Sequence, residues 1–293
     1  MERIDFRDQI SRNKIKSFFL MFWVFVIIVA LGYAISFAFE PGYFFVIMAI
    51  ATIFSLLYIL GMYYNSDKIA IASVGAKLAD RTKYKEYYSL VEGLTLASGL
   101  PMPRLYIMQS EQINAFASGR NPSKAVICVT EGALKKLDKK ELEGVLAHEL
   151  GHIGSYDMRY MTLVAVMVGI ISIISQLFLR SLWFRSGGND NNKGQLIFLL
   201  IGIALAIIAP IVVYFVQMSI SRKREYMADA NAVRFTRYPK GLIGALTKIK
   251  NDNAPIEKSI SKAIAPLFIS SPFKNWGSTH PPIEERIKVL ESM

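Results

Sequence analysis

Four stretches of this sequence carry no charged residue: Phe18 to Phe39, Gly42 to Tyr64, Tyr160 to Leu179 and Gly194 to Ser221. Each can supply the roughly 20 residues a helix needs to cross about 30 Å of hydrocarbon. A segment in lipid must satisfy its own backbone, so runs of this kind are helices. Burying four of them in a water-soluble core would demand far more apolar interior than a chain of 293 residues offers. They therefore predict four transmembrane helices in two hairpins. The first turns at Glu40-Pro41-Gly42 and the second at a polar loop over 180–194, with Pro210 a tolerated kink in the last span. The first run also follows a basic leader and contains Ala34-Ile35-Ser36, which faintly resembles a secretory cleavage site. Its length and the immediate second span favour an uncleaved anchor.

Charge placement orients the spans. Arg3, Arg7, Arg12, Lys14 and Lys16 crowd the leader, and the polar segments 65–159 and 222–293 are rich in Lys and Arg, whereas the connections inside each hairpin have few or none. The positive-inside rule then puts the leader and both polar segments in the cytoplasm of a multi-pass inner-membrane protein. The expected division is a leader over 1–17, a hairpin over 18–64, one part of a catalytic domain over 65–159, a second hairpin over 160–221 and the other part over 222–293. The net charge of +11 reads as a surface facing anionic lipid, with no nucleic-acid partner implied. The lone Cys128 cannot form an internal disulfide and sits in an apolar strand, which suits a reducing compartment.

Within the first polar segment, Asp67 to Leu78 and Lys83 to Ala97 read as helices. Arg104 to Gln109, Ala115 to Ser118 and Ala125 to Val129 read as short strands, the last two separated by the turn residues Gly119 to Pro122. The fold class expected is a mainly α membrane protein with an α+β cytoplasmic domain. A small sheet of this kind offers an edge to an extended peptide, and Asn114, Ala115 and Phe116 are the candidate edge strand; an interior strand fits them equally.

The chemistry is concentrated at His148-Glu149-Leu150-Gly151-His152, which uses two of the three histidines in the chain. On a helix, positions four apart lie roughly 40° apart around the axis, so both imidazoles reach one cation with the acid beside it. The spacing is that of a zinc hydrolase. Asp138 with Glu141 forms a capping-box signature at the start of this helix, and Gly154 is the expected stop.

A catalytic zinc site needs a third protein ligand and one position for water. Glu225 and His280 are the candidates. Glu225 has Asp229 one turn later on the same helix face, able to support a zinc histidine, and an even number of spans returns it to the side that holds His148. Glu149 lies too far round the helix to be a ligand and is placed to move a proton. His280 could assist at a developing oxyanion, or could cap the helix that Pro281-Pro282 begins; Tyr226 is a further candidate. The short distance along the chain from both ligand elements to a span predicts a site near the cytoplasmic membrane surface. The stretch from Asn251 to Gly277 reads as a surface connection or a loop over the cleft.

Together, His148 to His152, the Ser-Arg-x-Arg-Glu-Tyr-x-Ala-Asp-Ala run from Ser221, Asn114 to Gly119, and Thr279-His280-Pro281-Pro282 resemble the HtpX-like membrane zinc metalloproteases of peptidase family M48. The likeness spans essentially the whole chain. It implies a gluzincin-type cytoplasmic catalytic domain, one zinc ion per subunit held by His148, His152 and Glu225, and Glu149 as acid/base; it identifies no substrate, and the expectation of membrane-protein or unfolded polypeptide substrates comes from a site close to the membrane surface. Quality control of membrane proteins, a stress-response task, is the role that goes with it. Prenyl-protein processing, which related membrane zinc proteases perform, is the alternative within proteolysis. A membrane scaffold with an inert metal site is the alternative outside it, and the intact Glu149 argues against a purely structural site.

Overall fold

A computed structural model describes residues 6–36, 41–165, 222–254, 265–270 and 281–293 of the chain. Two helices dominate its N-terminal part, α1 (Phe6–Ser36) and α2 (Phe44–Ser73), joined across a short 3-10 turn at Pro41–Tyr43 and packed against one another. Both are long and apolar enough to cross a membrane, with mean hydropathy 1.8 over Ile10–Ala30 and 2.5 over Phe44–Ser73. They also expose what a soluble protein would hide: Phe45 is 80% and Leu57 66% accessible. Large side chains left bare along both helices fit a lipid surround. The third and fourth expected spans lie outside the described residues apart from the start of the third, where a helix runs over 157–165.

The α1 helix begins at Phe6, so the leader residues from Arg7 to Lys16 form its first turns. One element differs from the sequence reading. Asp67 is part of α2, which ends at Ser73, and the chain reverses at Gly75 (φ +62°). Lys77–Leu78 then pairs as a strand, β1, rather than completing a helix. A helix already under way propagates at little cost through polar residues, whereas Gly75 favours the left-handed conformation that stops it.

The sheet has the order β1-β2-β4-β3, with β2 (Arg104–Met108) parallel to β4 (Val126–Thr130) and β3 (Ala115–Ser118) antiparallel to it on the outside. Alternate residues face opposite layers. Leu105, Ile107, Ala115, Ala117, Ile127 and Val129 pack against α3 (Lys85–Ser98) and α5 (Lys139–Gly154). Met108, Phe116, Val126 and Cys128 pack on the other side against Ala70 and Ile71 of α2, Val74 just after it, and Met161 of the 157–165 helix. The inner ends of the apolar helices are thus part of the sheet's core. Leu20 and Val24 of α1 join the same helix at Tyr160, Leu163 and Val164. The rest of the domain is the short α4 (Glu131–Lys136), then α6 (Arg222–Thr236), α7 (Pro239–Asn251) and α8 (Ile283–Glu291).

Candidate metal centre

The α5 helix starts at the expected capping box. Asp138 accepts from the backbone N–H groups of Lys140 and Glu141 at 2.8 and 2.9 Å, and Glu141 accepts from the Asp138 N–H at 2.8 Å. From there, every residue from Gly144 to Gly154 is buried, so the polar positions His148, Glu149 and His152 need partners. Two of the partners come from α6, which lies against α5 closely enough that a Cβ on Gly151 would stand 3.2 Å from the Cα of Ala228. The glycine inside the motif lets the second helix approach.

That approach brings three donors together. The Nε2 atoms of His148 and His152 are 3.2 Å apart, Glu225 Oε2 is 3.7 Å from the first and Glu225 Oε1 is 3.6 Å from the second. A cation with metal–nitrogen bonds of about 2.0–2.1 Å spaces tetrahedral ligands ~3.3 Å apart, so the triangle is of the right size. Among the described residues this is the only His/Cys/Asp/Glu group of three that could hold a metal ion. Beside it Glu149 is 1% exposed and its Oε1 has no hydrogen-bond partner among the described residues. An unpartnered buried carboxylate oxygen that is electrostatically coupled to His152 and Glu225 is what a metal-bound water would satisfy. The donor set and this orphaned oxygen fit a catalytic ion.

Each imidazole is oriented from behind. His148 Nδ1 lies 2.9 Å from Asp229 Oδ1, and since Asp229 can only accept, the ring carries its proton on Nδ1 and turns the Nε2 lone pair to the centre. Burial, with the Arg286 guanidinium beside it, pulls the His148 pKa down to about 4, against the opposing pull of Asp229. The ring is therefore neutral, the state a ligand needs. His152 Nδ1 faces Asp157 Oδ2 at 3.5 Å, longer than a well-formed hydrogen bond, so the carboxylate acts on it mainly by charge. Burial lowers the His152 pKa, but Asp157 and Glu225 outweigh it and raise the value to about 9. Glu149 is pushed up to about 7, first by burial, with His152 drawing it down and Glu225 pushing it further up.

A family model described as peptidase family M48 matches residues 81–293, the part of the chain that holds every one of these groups. The chain belongs to peptidase family M48. A protease HtpX homolog of Caldanaerobacter subterraneus subsp. tengcongensis is 43% identical over 97% of this chain and 96% of its own length. Protease HtpX homologs of Dictyoglomus thermophilum and Lactobacillus helveticus are each 39% identical, over 100% and 98% of this chain and 96% and 99% of theirs. The crystal structure of S. mikatae Ste24p overlaps 97% of this chain and 66% of that one at 19% identity and a TM-score of 0.47, a distant likeness that adds nothing to the membership. This M48 chain is a membrane metalloprotease.

Two residues of the M48 site escaped the sequence reading. Arg286 on α8 is fully buried and grips Asp229 through Nε (2.9 Å) and Nη2 (2.6 Å), with Nη1 3.5 Å from Glu225 Oε2. It holds the Asp229 carboxyl well below the usual range despite burial. Asp157, just past the end of α5, stands behind His152. No local signal marks either. Arg286 sits in a charged run that resembles a solvated helix face, and Asp157 is the first residue of the 157–165 helix, right after a two-residue turn.

Other expected residues fall as follows. Asn114, Ala115 and Phe116 belong to or adjoin β3, the outer strand of the sheet. Its outer edge is partly paired within the chain: Ile269 donates to the Ala115 carbonyl at 2.9 Å, Phe116 bridges Phe268, and Asn114 Nδ2 donates to Ser270 O at 3.0 Å. Tyr226 turns its hydroxyl to Glu285 Oε2 at 3.1 Å. His280 lies outside the described residues, although α8 begins right after Pro282 as its sequence suggests.

Proposed function

We propose that the chain is a zinc metalloendopeptidase in which His148, His152 and Glu225 hold one zinc ion per subunit and Glu149 moves the proton. The observation that carries this is the triangle of donors 3.2–3.7 Å apart, with the orphaned Glu149 oxygen beside it. A bound zinc ion supplies Lewis acidity and lowers the pKa of a water towards 7. The residues do the rest. Glu149, raised by burial, accepts a proton from water near neutral pH and returns it to the departing amine. Asp229 fixes the His148 ring, while burial and the Arg286 guanidinium keep it neutral, so no reorganisation is needed during the reaction. The part of the β3 edge beyond the Phe116 bridge is the proposed place for an extended substrate to add as a strand, beside the Ala117 amide that also draws on Glu149. His280 is proposed as an assisting group on the family resemblance alone.

The domain over 65–159 and 222–293 is proposed to be gluzincin-like, interrupted by a second hairpin over 160–221, giving four transmembrane helices with the leader and active site in the cytoplasm. What supports this is that the end of α2 and the 157–165 helix pack on one face of the sheet while α5, which carries His148 and His152, packs on the other. Loops and tails of membrane proteins and misfolded membrane-associated polypeptides are the substrates such a placement favours, in quality control of the membrane. The test is Glu149→Gln in the full-length protein in bilayers. It should keep its zinc and lose cleavage of a membrane-tethered peptide, while Glu225→Ala should lose both. A Glu149→Gln protein that still cleaves, or a Glu225→Ala protein with full zinc, removes the assignment.

A further inference from the structure

The first membrane helix reaches the metal centre through one side chain. Asn13 on α1 is 3% exposed and its amide donates twice, to Asp157 Oδ1 at 2.6 Å and to the Ser155 carbonyl at 3.0 Å. Asp157, 1% exposed, takes a second hydrogen bond on Oδ2 from the Ser155 hydroxyl at 2.7 Å, and the same oxygen faces His152 Nδ1. Arg224, immediately before Glu225, brings Nε to 3.7 Å from Oδ1. One buried carboxylate is thus shared by α1, by the turn that ends α5, and by the first turn of α6.

A carboxylate removed from water needs its lone pairs filled, and the direction it points is set by which donors fill them. Ser155 belongs to the same turn as Asp157 and moves with it. Asn13 is different, since it comes from another element more than 140 residues away in sequence. Without the Asn13 donor on Oδ1, what holds the carboxylate among the described residues is its own turn and the positive charge of Arg224 and, more distantly, Lys16. We propose that Asn13 is a positioning residue for the metal centre: α1 fixes Asp157, and through it the His152 ring, so that the site reaches full metal affinity only with the first membrane helix docked. This rests on His152 being a ligand. An outer partner that orients a ligating histidine is typically worth 10–100-fold in metal affinity, and Asp157 stands in that place 3.5 Å behind His152. A membrane helix therefore contributes to the metal site as well as tethering the domain.

The experiment uses the full chain in detergent or bilayers. Asn13→Asp is isosteric and removes the N–H donors; Asn13→Leu removes them without adding charge. Ser17→Ala is the control, because Ser17 is equally buried on α1 but, among the described residues, bonds only to the Asn13 carbonyl within the helix. Zinc affinity is read by competition with a chromophoric chelator, and ligand geometry by the visible absorption of the cobalt-substituted protein. Both Asn13 variants should bind zinc about 10-fold more weakly and shift the cobalt bands, with Ser17→Ala unchanged. In an Asp157→Ala background Asn13→Leu should have no further effect.

Either folded Asn13 variant with zinc affinity within twofold of the wild type and unaltered cobalt bands overturns the proposal. So does a multiplicative loss in the double variant, which would make Asn13 a mere anchor for α1. If instead His152→Ala keeps full zinc, it is the ligand assignment beneath the proposal that fails.

Discussion

Arg286 and Asp229, 57 residues apart, form a two-point ion pair with both side chains at 0% exposure. The pair stands directly behind His148, and Arg286 also approaches Glu225, so one guanidinium offsets the charge of two acids around the centre. A buried pair of this kind adds little net stability over apolar residues of the same size, but breaking it strands a charge.

Arg286→Ala should therefore destabilise the fold by about 3–5 kcal/mol and weaken zinc binding. Arg286→Lys should not restore it, because a single ammonium cannot reproduce the fork. Asp229→Asn removes the acceptor from His148 and should cost 10–100-fold in zinc affinity. In the double variant Arg286→Met with Asp229→Leu, the stability loss should be smaller than in Arg286→Met alone. Thermal denaturation of the metal-free protein together with chelator competition checks all four; equal loss in the single and double variants contradicts the pairing.

Gly144 should tolerate no side chain. A Cβ there would lie 2.6 Å from the Leu242 backbone nitrogen, where α7 crosses α5. Gly144→Ala raises helix propensity yet should lower stability by roughly 1–3 kcal/mol, because backbone must move apart. Denaturant unfolding measures the sign directly, and a stabilised variant would refute the close crossing.

Asp252 ties the end of α7 to the sheet side of the domain, accepting from the Ile113 N–H at 2.7 Å and pairing with Lys136 at 2.9 Å. Burial raises its pKa, but the bonds from Lys136, Ile113 and Ala254 outweigh it, and the value is lowered. A carboxylate with a depressed folded pKa contributes stability that is present above its unfolded value near 3.9 and is lost as pH falls through the folded value. Asp252→Asn should thus be less stable at pH 6 and show a flatter stability profile between pH 5 and 3. Parallel profiles for the two proteins would show that the ion pair contributes nothing.

Cys128 should be inert in the folded protein. Its thiol is 1% exposed on the sheet face that meets α2, and burial pushes its pKa up, so thiolate is scarce and shielded. A thiol reagent should label it only at the rate of unfolding, which mass spectrometry across a denaturant series would show. Rapid labelling under native conditions would mean that α2 does not cover this face.

Local geometry made part of this protein readable from its residues. Two histidines four apart share a helix face, Asp229 follows Glu225 by one turn, and Asp138 with Glu141 closes a cap within four residues. These depend only on the helix period and on hydrogen bonds between near neighbours, and the sequence carries both. The apolar runs from Phe18 and Gly42 were equally plain, since length and lack of charge need no partner to be recognised. What only the tertiary structure decided is how buried charges are compensated. Arg286 behind Asp229 and Asn13 behind Asp157 come from distant elements, and Asp157 reaches His152 only because the chain turns back after α5; all three lie in charged or polar stretches that read as solvated surface. Whether an ion is stable away from water depends on which donors surround it in space, and no periodicity along a chain encodes that.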